Sequence, residues 1–166
     1  VSTPGNVVPL ETCKGYIDRF FEKHNKIIEL KKRVNRQVHR KGYIKNAFGR
    51  YRRFPEAPEL FQLIKSIRNR QEKREHSKKL RRIERQANNF VIQGLAADVF
   101  KESVVRVHSV LEGKKSNICN FVHDEIQFYM HKSEMDLIPK IKETIEDFNF
   151  KVPLVVDVEL SKTSWA

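Results

Sequence analysis

The spacing of the apolar residues changes along the chain, and this change restricts the fold more than any other feature. From Leu10 to Val38, and again from Ile83 to Leu111, apolar side chains recur every three or four residues, which predicts amphipathic helices with a break near Asn25. Gly42 follows the first helical pattern, where a glycine commonly ends a helix. Later in the chain the apolar residues form short strand-like runs instead. Helices followed by strands indicate an α+β fold.

The last third of the chain predicts a β-hairpin, a helix and a closing strand, in that order. Residues 118–122 and 126–130 are strand-like and are separated by three residues, which is a hairpin length. Ser133 is the expected N-cap of a helix with one apolar face. Apolar and other residues alternate over 152–160, which predicts the third strand. These elements favour an antiparallel sheet with helices on one face.

Positive charge is concentrated in the middle of the chain. The formal net charge is +12, residues 31–53 hold ten basic residues and no acidic one, and residues 86–166 hold nine basic and twelve acidic residues. So dense a basic block favours a polyanion as partner, most often nucleic acid and less often an anionic membrane, although a solvated lysine-rich face is the alternative. Within the block, "GYIKNAFGRYRRFP" predicts a short hairpin. After it, residues 64–86 predict a charged helix with few apolar positions, which is either exposed to solvent or lies along a polyanion.

The cysteine content excludes two classes of small protein. Cys13 and Cys119 are the two cysteines, and they lie far apart in a spacing that matches no metal motif. This argues against a disulfide framework and against zinc, and it fits a reducing compartment. The expected location is intracellular, in the cytoplasm or nucleoid or in a virus-infected cell, with an organelle as the alternative.

The segment "NFVHDEIQFYM", Asn120 to Met130, places three polar residues inside an apolar run. Asp124 and Glu125 are either an acidic hairpin turn, since aspartate suits turns, or ligands of a hard metal ion, since Mg²⁺ takes one or two carboxylates plus substrate phosphates. Two-metal phosphoryl chemistry needs carboxylates from more than one segment. The residues alone leave both interpretations open, and they name Asp98, Asp157 and Glu159 as further acids that could approach.

Four ordered stretches resemble the family A DNA polymerases, the bacterial polymerase I type. "FVHDEIQFYM" is similar to the last catalytic motif of that family, and "KGYIKNAFGRYRRFPE" to its G-Y-x-x-T-x-x-G-R-x-R-x-x-P segment. "VPLVVDVELSKTSW" resembles its closing strand. "ERQANNFVIQGLAAD" resembles the motif E-R-x-x-x-N-x-x-x-Q-G-x-A-A-D, and it matches at Glu84, Arg85, Asn89, Gln93, Gly94, Ala96, Ala97 and Asp98.

The resemblance implies a set of functional residues. Asp124 would bind the two catalytic Mg²⁺ ions, Glu125 would be a nearby carboxylate, and His123 would help to position the primer 3′ end. The row Arg85, Asn89 and Gln93 would face the template–primer, and in "GRYRR" Arg50 and Arg52 would contact DNA, with Arg52 on the template backbone. The spacing of four between members of the row places them on one helix face.

The resemblance also implies an incomplete polymerase domain. Residues 1–80 would be a helical, fingers-like segment with the basic DNA-contacting block, and residues 81–166 a helix followed by a palm-like β-β-α-β segment. The first palm aspartate and the fingers helix that grips the incoming dNTP do not occur in this sequence. We therefore expect partners in template–primer DNA, dNTP and the remaining N-terminal part of the polymerase, as an upstream segment or a separate chain, without which this chain is inactive.

The sequence departs from the family pattern in two places. Arg53 and Phe54 are unusual after the arginine cluster, and residues 56–80 are longer and more basic than the family pattern.

Two rival functions are a non-catalytic basic nucleic-acid-binding module and a fragment of a single-subunit RNA polymerase. The latter family usually has His-Asp-Ser at the hairpin, so Glu125 favours DNA synthesis.

Overall fold

The computed structural model describes residues 8–162, and its chain forms two compact units that divide between Leu95 and Ala96. The predicted α+β class is confirmed, because helices dominate and the strands form two separate two-stranded antiparallel sheets. In chain order the elements are α1 (Leu10–Lys23), α2 (Asn25–Lys41), β1 (Tyr43–Lys45), β2 (Tyr51–Arg53), α3 (Ala57–Ser66), α4 (Arg70–Leu111), β3 (Asn117–Val122), β4 (Glu125–Tyr129), a 3₁₀ helix (Lys132–Leu137) and α5 (Ile138–Glu146).

The helical start of the first unit follows the sequence prediction. His24 separates α1 from α2, beside the expected break at Asn25. Gly42 ends α2 with a left-handed backbone, φ 67°, and a Cβ there would lie 3.1 Å from the carbonyl oxygen of Phe54. Both the dihedral angle and the close approach require glycine. The chain therefore turns sharply from α2 into the β1–β2 hairpin, which forms where it was predicted.

The core of the first unit joins α2, the β1–β2 hairpin, α3 and α4. We call the β1–β2 hairpin, Tyr43–Arg53, the basic hairpin. A polar contact joins α2 to α4 beside these apolar residues: Nε2 of His39 lies 2.8 Å from a carboxylate oxygen of Glu84. The His39 ring also stacks on the Phe61 ring, with 4.3 Å between the ring centres. These contacts fix the face of α4 that points inward. The buried apolar residues of this core are Val34, Val38, Ile44, Phe54, Ala57, Ile83, Ala87 and Phe90.

The charged run at 64–86 is not one helix, contrary to the prediction. Helix α3 ends at Ser66, and α4 begins at Arg70. Asn69 supplies the N-cap, because its side-chain oxygen accepts hydrogen bonds from the backbone N–H groups of Gln71 and Glu72, at 2.9 and 3.2 Å. Once begun, α4 continues for 42 residues.

The second unit differs from the prediction at two turns. Val122 pairs with Glu125, so the β3–β4 turn has two residues and Glu125 belongs to the strand, not to the turn. Ser133 is not an N-cap: it lies inside the 3₁₀ helix, whose cap is His131, and the His131 side chain accepts from the Ser133 backbone N–H. The core of this unit consists of Val107, Leu111 and Ile141, with Val110, Ile118, Phe128, Met130, Leu137 and Ile145 packed around them.

The predicted closing strand is absent from the described part of the chain. Residues 152–160 form no ladder with β3 or β4, which pair with each other. A strand exists through hydrogen bonds to a neighbour, and this segment anchors itself differently, since the Val156 backbone N–H donates to the Glu146 carboxylate at 2.8 Å. Within residues 8–162, none of the helices combines the length and apolarity that crossing a bilayer requires.

Candidate functional site

The row Arg85, Asn89 and Gln93 lies on one exposed face of α4, as the spacing predicts. Their neighbours Ile83, Ala87 and Phe90 are buried in the core, so the row points away from it. None of the three side chains forms a hydrogen bond or ion pair with another residue in the described range 8–162. Their donors and acceptors are therefore available to a ligand.

The same unit brings two members of this row together with the basic hairpin. Arg50, Arg52 and Tyr51 of the hairpin and Asn89 and Gln93 of α4 line an open cleft of about 330 Å³, with Phe90 and Gly94 completing its walls. The chain sections are far apart in sequence, and the core beneath them sets their separation. A concave surface with two guanidinium groups and two amides suits phosphates and base edges.

Arg50 is held over α4 by two contacts. Its guanidinium lies 5.3 Å from the centre of the Phe90 ring and donates to the Gly94 carbonyl oxygen at 3.2 Å. The Phe90 ring also lies across Gly94, since a Cβ on that glycine would be 2.7 Å from the ring. Gly94 therefore has a packing role: the absence of a side chain leaves space for the Phe90 ring, on which the Arg50 guanidinium stacks.

The turn of the basic hairpin is fixed from inside. Asn46 is buried, its side-chain oxygen accepts from the Arg50 backbone N–H at 3.0 Å, and its own N–H donates to the Arg50 carbonyl at 3.0 Å. Outside the turn, cations lie over aromatic rings: Lys45 over Tyr51 at 5.4 Å, and Arg52 over Phe54 at 5.5 Å. Stacking restricts these long side chains and presents their charge outward.

His123, Asp124 and Glu125 lie together at the exposed tip of the β3–β4 hairpin in the second unit. His123 has φ 56°, and it is the one non-glycine residue with positive φ in the described range. This first turn position favours glycine, and a left-handed backbone costs other residues roughly 1–2 kcal/mol. This backbone conformation marks His123 as a candidate functional residue of the hairpin tip.

The donor set at this tip fits part of a magnesium site. Asp124 and Glu125 are adjacent, exposed carboxylates, the ligand type Mg²⁺ prefers, and such sites are completed by water and substrate phosphates. Residues 8–162 contain no group of three or more His, Cys, Asp or Glu side chains that could hold a metal. Asp98, Asp157 and Glu159 therefore do not join the tip in such a group.

Glu134 stabilises the base of the same hairpin. Its carboxylate accepts from the backbone N–H of Lys115 and from the N–H and hydroxyl of Ser116, at 2.7 to 3.1 Å. These bonds, led by the one from Lys115, lower the pKa of Glu134 from its ordinary value of 4.5 to about 2. They connect the start of β3 to the 3₁₀ helix after β4.

We expect the stability of the second unit to depend on pH through Glu134. Because its folded pKa is depressed, its contribution is complete above pH 4.5 and is lost as pH falls toward about 2. Denaturation midpoints measured between pH 7 and pH 2 should show this loss. Glu134→Gln should lower the midpoint at pH 7 and flatten its pH dependence, and Glu143→Gln, which removes an exposed ion pair with Lys140, should change less. Equal pH profiles for wild type and Glu134→Gln would contradict the assignment.

Two lining residues were missed by the sequence reasoning. Phe90 belongs to the apolar pattern from Ile83 to Leu111 and lies in the core, but the Arg50 guanidinium also stacks on its ring. Tyr51 was not assigned a role, and it lines the cleft. The interleaving of aromatics and arginines in "GRYRRF" was the available signal.

Comparisons with known proteins point to one family. The family model for DNA polymerase family A matches residues 6–166. The thermostable DNA polymerase I of Thermus aquaticus is 29% identical over 157 residues, 93% of this chain and 17% of the relative. DNA polymerase I of Streptococcus pneumoniae is 31% identical over 149 residues, 87% of this chain and 15% of the relative. The chain thus spans about a sixth of the length of these relatives.

A solved structure supports the same assignment. The polymerase domain of Pol1 from M. smegmatis, in complex with DNA primer-template and dNTP, superimposes with a TM-score of 0.68 and 26% identity, over 89% of this chain and 24% of that one. The chain described here belongs to DNA polymerase family A.

Proposed function

We propose that this chain is the C-terminal fingers and palm portion of a template-directed DNA polymerase, which transfers a nucleotide from dNTP to a primer 3′-OH. The observation that carries the proposal is the cleft in which Arg50 and Arg52 meet Asn89 and Gln93, because it unites two separate family motifs in one surface. The M. smegmatis relative was solved with primer-template and dNTP. The fingers-like portion would extend to residue 80, and the palm-like portion would begin at residue 81.

The arginines and amides of the cleft, together with Arg85 of the same helix row, have proposed roles. Arg50 and Arg52 bind backbone phosphates, and Arg52 contacts the template strand, since a guanidinium pairs with phosphate in a bidentate manner. Asn89 and Gln93 carry amides that donate and accept, which suits base edges and sugars near the nascent pair. Arg85 adds a cation at the end of the row. Together these side chains fix the register of the primer–template.

At the hairpin tip, Asp124 is proposed as the metal ligand, Glu125 as a supporting carboxylate, and His123 as the residue that positions the primer end. Mg²⁺ ions, when bound, would stabilise charge on the attacking and leaving oxygens of the transfer. Because such a clamp takes carboxylates from more than one segment, Asp124 would act with a carboxylate from another part of the polymerase. The 166-residue chain alone would then not extend a primer, and extension by it would contradict this dependence.

Salt dependence tests the DNA-binding half of the proposal. We expect the chain to bind primer–template through phosphates, so its affinity should fall steeply between 50 and 200 mM salt, with a slope of about −0.9 in log–log form per phosphate contact. Fluorescence anisotropy with a labelled primer–template measures this directly. Arg50→Gln/Arg52→Gln should reduce the slope by roughly 2. Equal affinity at both salt concentrations would rule out the electrostatic interface.

A further inference from the structure

The first four turns of α4 carry a row of three cations, N-terminal to Arg85, to which the proposed function gives no role. Arg74, Lys78, Arg81 and Arg85 follow one another at spacings of four, three and four residues, so they lie on one face of the helix. All four are exposed, whereas Leu80, Ile83 and Ala87 are buried on the opposite face. We call Arg74, Lys78 and Arg81 the basic stripe.

The basic stripe is continuous with the row that faces the cleft. Continuing from Arg85 at spacings of four leads to Asn89 and Gln93, on the same unbroken helix and in the same compact unit. Of the three acids in this part of α4, Glu84 pairs with His39 and Glu72 lies nearest His76. Glu75 is the acid that pairs with the stripe, at Lys78, where both side chains are exposed. Exposed pairs of that kind contribute little and are screened by salt.

Arg74 and Arg81 keep their charge available. Arg74 forms no ion pair with a residue in the described part of the chain, and Arg81 uses one guanidinium N–H to donate to the Ser77 carbonyl at 3.3 Å. If this face were only solvated, its cations would have no reason to align with the proposed DNA contacts at Arg85, Asn89 and Gln93. Charge complementarity and collinearity both favour a phosphate backbone over an anionic membrane, which would also need an apolar face on this stripe.

We propose that the basic stripe extends the DNA footprint of the cleft along the duplex. The proposal rests on the proposed function of the Arg85–Asn89–Gln93 row. From Arg74 to Arg85 the helix rises about 16 Å, which corresponds to roughly five further base pairs of duplex. The stripe would bind backbone phosphates without reading sequence, and it would strengthen the hold on long primer–templates.

The test compares four versions of the chain on two probes, primer–templates with about 6 and about 16 base pairs of duplex. The stripe variant is Arg74→Gln/Lys78→Gln/Arg81→Gln, because glutamine keeps helix propensity. The charge-matched control is Lys14→Gln/Lys23→Gln/Lys26→Gln, on exposed positions of α1 and α2. Arg85→Gln reports on the row itself. Anisotropy gives Kd and its salt slope, and circular dichroism confirms the helix content of each version.

We expect the stripe variant to bind the long duplex at least about tenfold more weakly than the control at 0.1 M salt. The slope of log affinity against log salt concentration should fall in magnitude by roughly 2.7. On the short duplex the stripe variant and the control should bind alike. Identical binding by the stripe variant and its control on the long duplex would overturn the proposal. If Arg85→Gln then still weakened binding, the proposed function would stand without the stripe. If the wild-type chain bound neither probe, both proposals would fail.

Discussion

Asp124→Asn is expected to lower the rate of primer extension by at least about a thousandfold in the polymerase that contains this chain. The substitution keeps the shape of the side chain and removes the charge that is proposed to bind metal. Metal stabilisation of the transferring oxygens contributes several kcal/mol, and a loss of about 4 kcal/mol corresponds to a factor of about 10³. Single-turnover extension, measured over a magnesium titration, checks the rate, and anisotropy checks that primer–template affinity is kept.

Two further variants make this result specific. Asp136→Asn removes another exposed acid from the same unit, outside the hairpin, and should leave the rate unchanged. His123→Gly tests the imidazole separately: glycine accepts φ 56° without strain, so the hairpin should be at least as stable, and a slower reaction would then report the missing ring. A rate within tenfold of wild type for Asp124→Asn would contradict its role as a metal ligand.

Local signals were sufficient to predict most of the first unit. The apolar spacing and Gly42 located α1, α2 and the basic hairpin, because a helix end that needs left-handed backbone leaves a visible glycine. The break before α4 carried its own signal, an asparagine at 69 followed three residues later by Glu72, which is the pattern of a capped helix start. It was missed because the charge run around it continues without a change in composition.

The second unit was harder to predict because its strands depend on the register of their pairing and on the presence of a neighbouring strand. A one-residue difference in pairing moved Glu125 from the turn into β4, and apolar alternation alone does not fix that register. The alternation over 152–160 is real, but a strand also needs a neighbour with free backbone groups, which sequence pattern does not supply. At the candidate site, helical spacing placed Arg85, Asn89 and Gln93 correctly on one face, whereas the support of Arg50 by Phe90 required the tertiary structure.

Phe90→Ala should destabilise the first unit by about 3–5 kcal/mol, the usual range for removing a buried phenylalanine. Phe90 is 7% exposed and belongs to the core that joins α2, the basic hairpin and α4. Phe90→Leu is the matched control, because it retains apolar volume and should cost less than about 1.5 kcal/mol. Both variants remove the ring under Arg50, so both should weaken primer–template binding about fivefold, in line with about 1 kcal/mol for a cation–π contact. Wild-type affinity in Phe90→Leu would show that the ring does not position Arg50.

The effect of Gly94→Ala should reverse in sign between the wild type and the Phe90→Ala variant. In the wild type the added Cβ would lie 2.7 Å from the Phe90 ring, which is packed in the core and cannot swing away, so Gly94→Ala destabilises. Without the ring the Cβ has room, and alanine in a helix is favoured over glycine by roughly 0.5–1 kcal/mol. A double-mutant cycle from urea denaturation measures this coupling directly. Additive effects would mean that Gly94 is present for a reason other than the Phe90 ring, and the packing explanation for this glycine would be wrong.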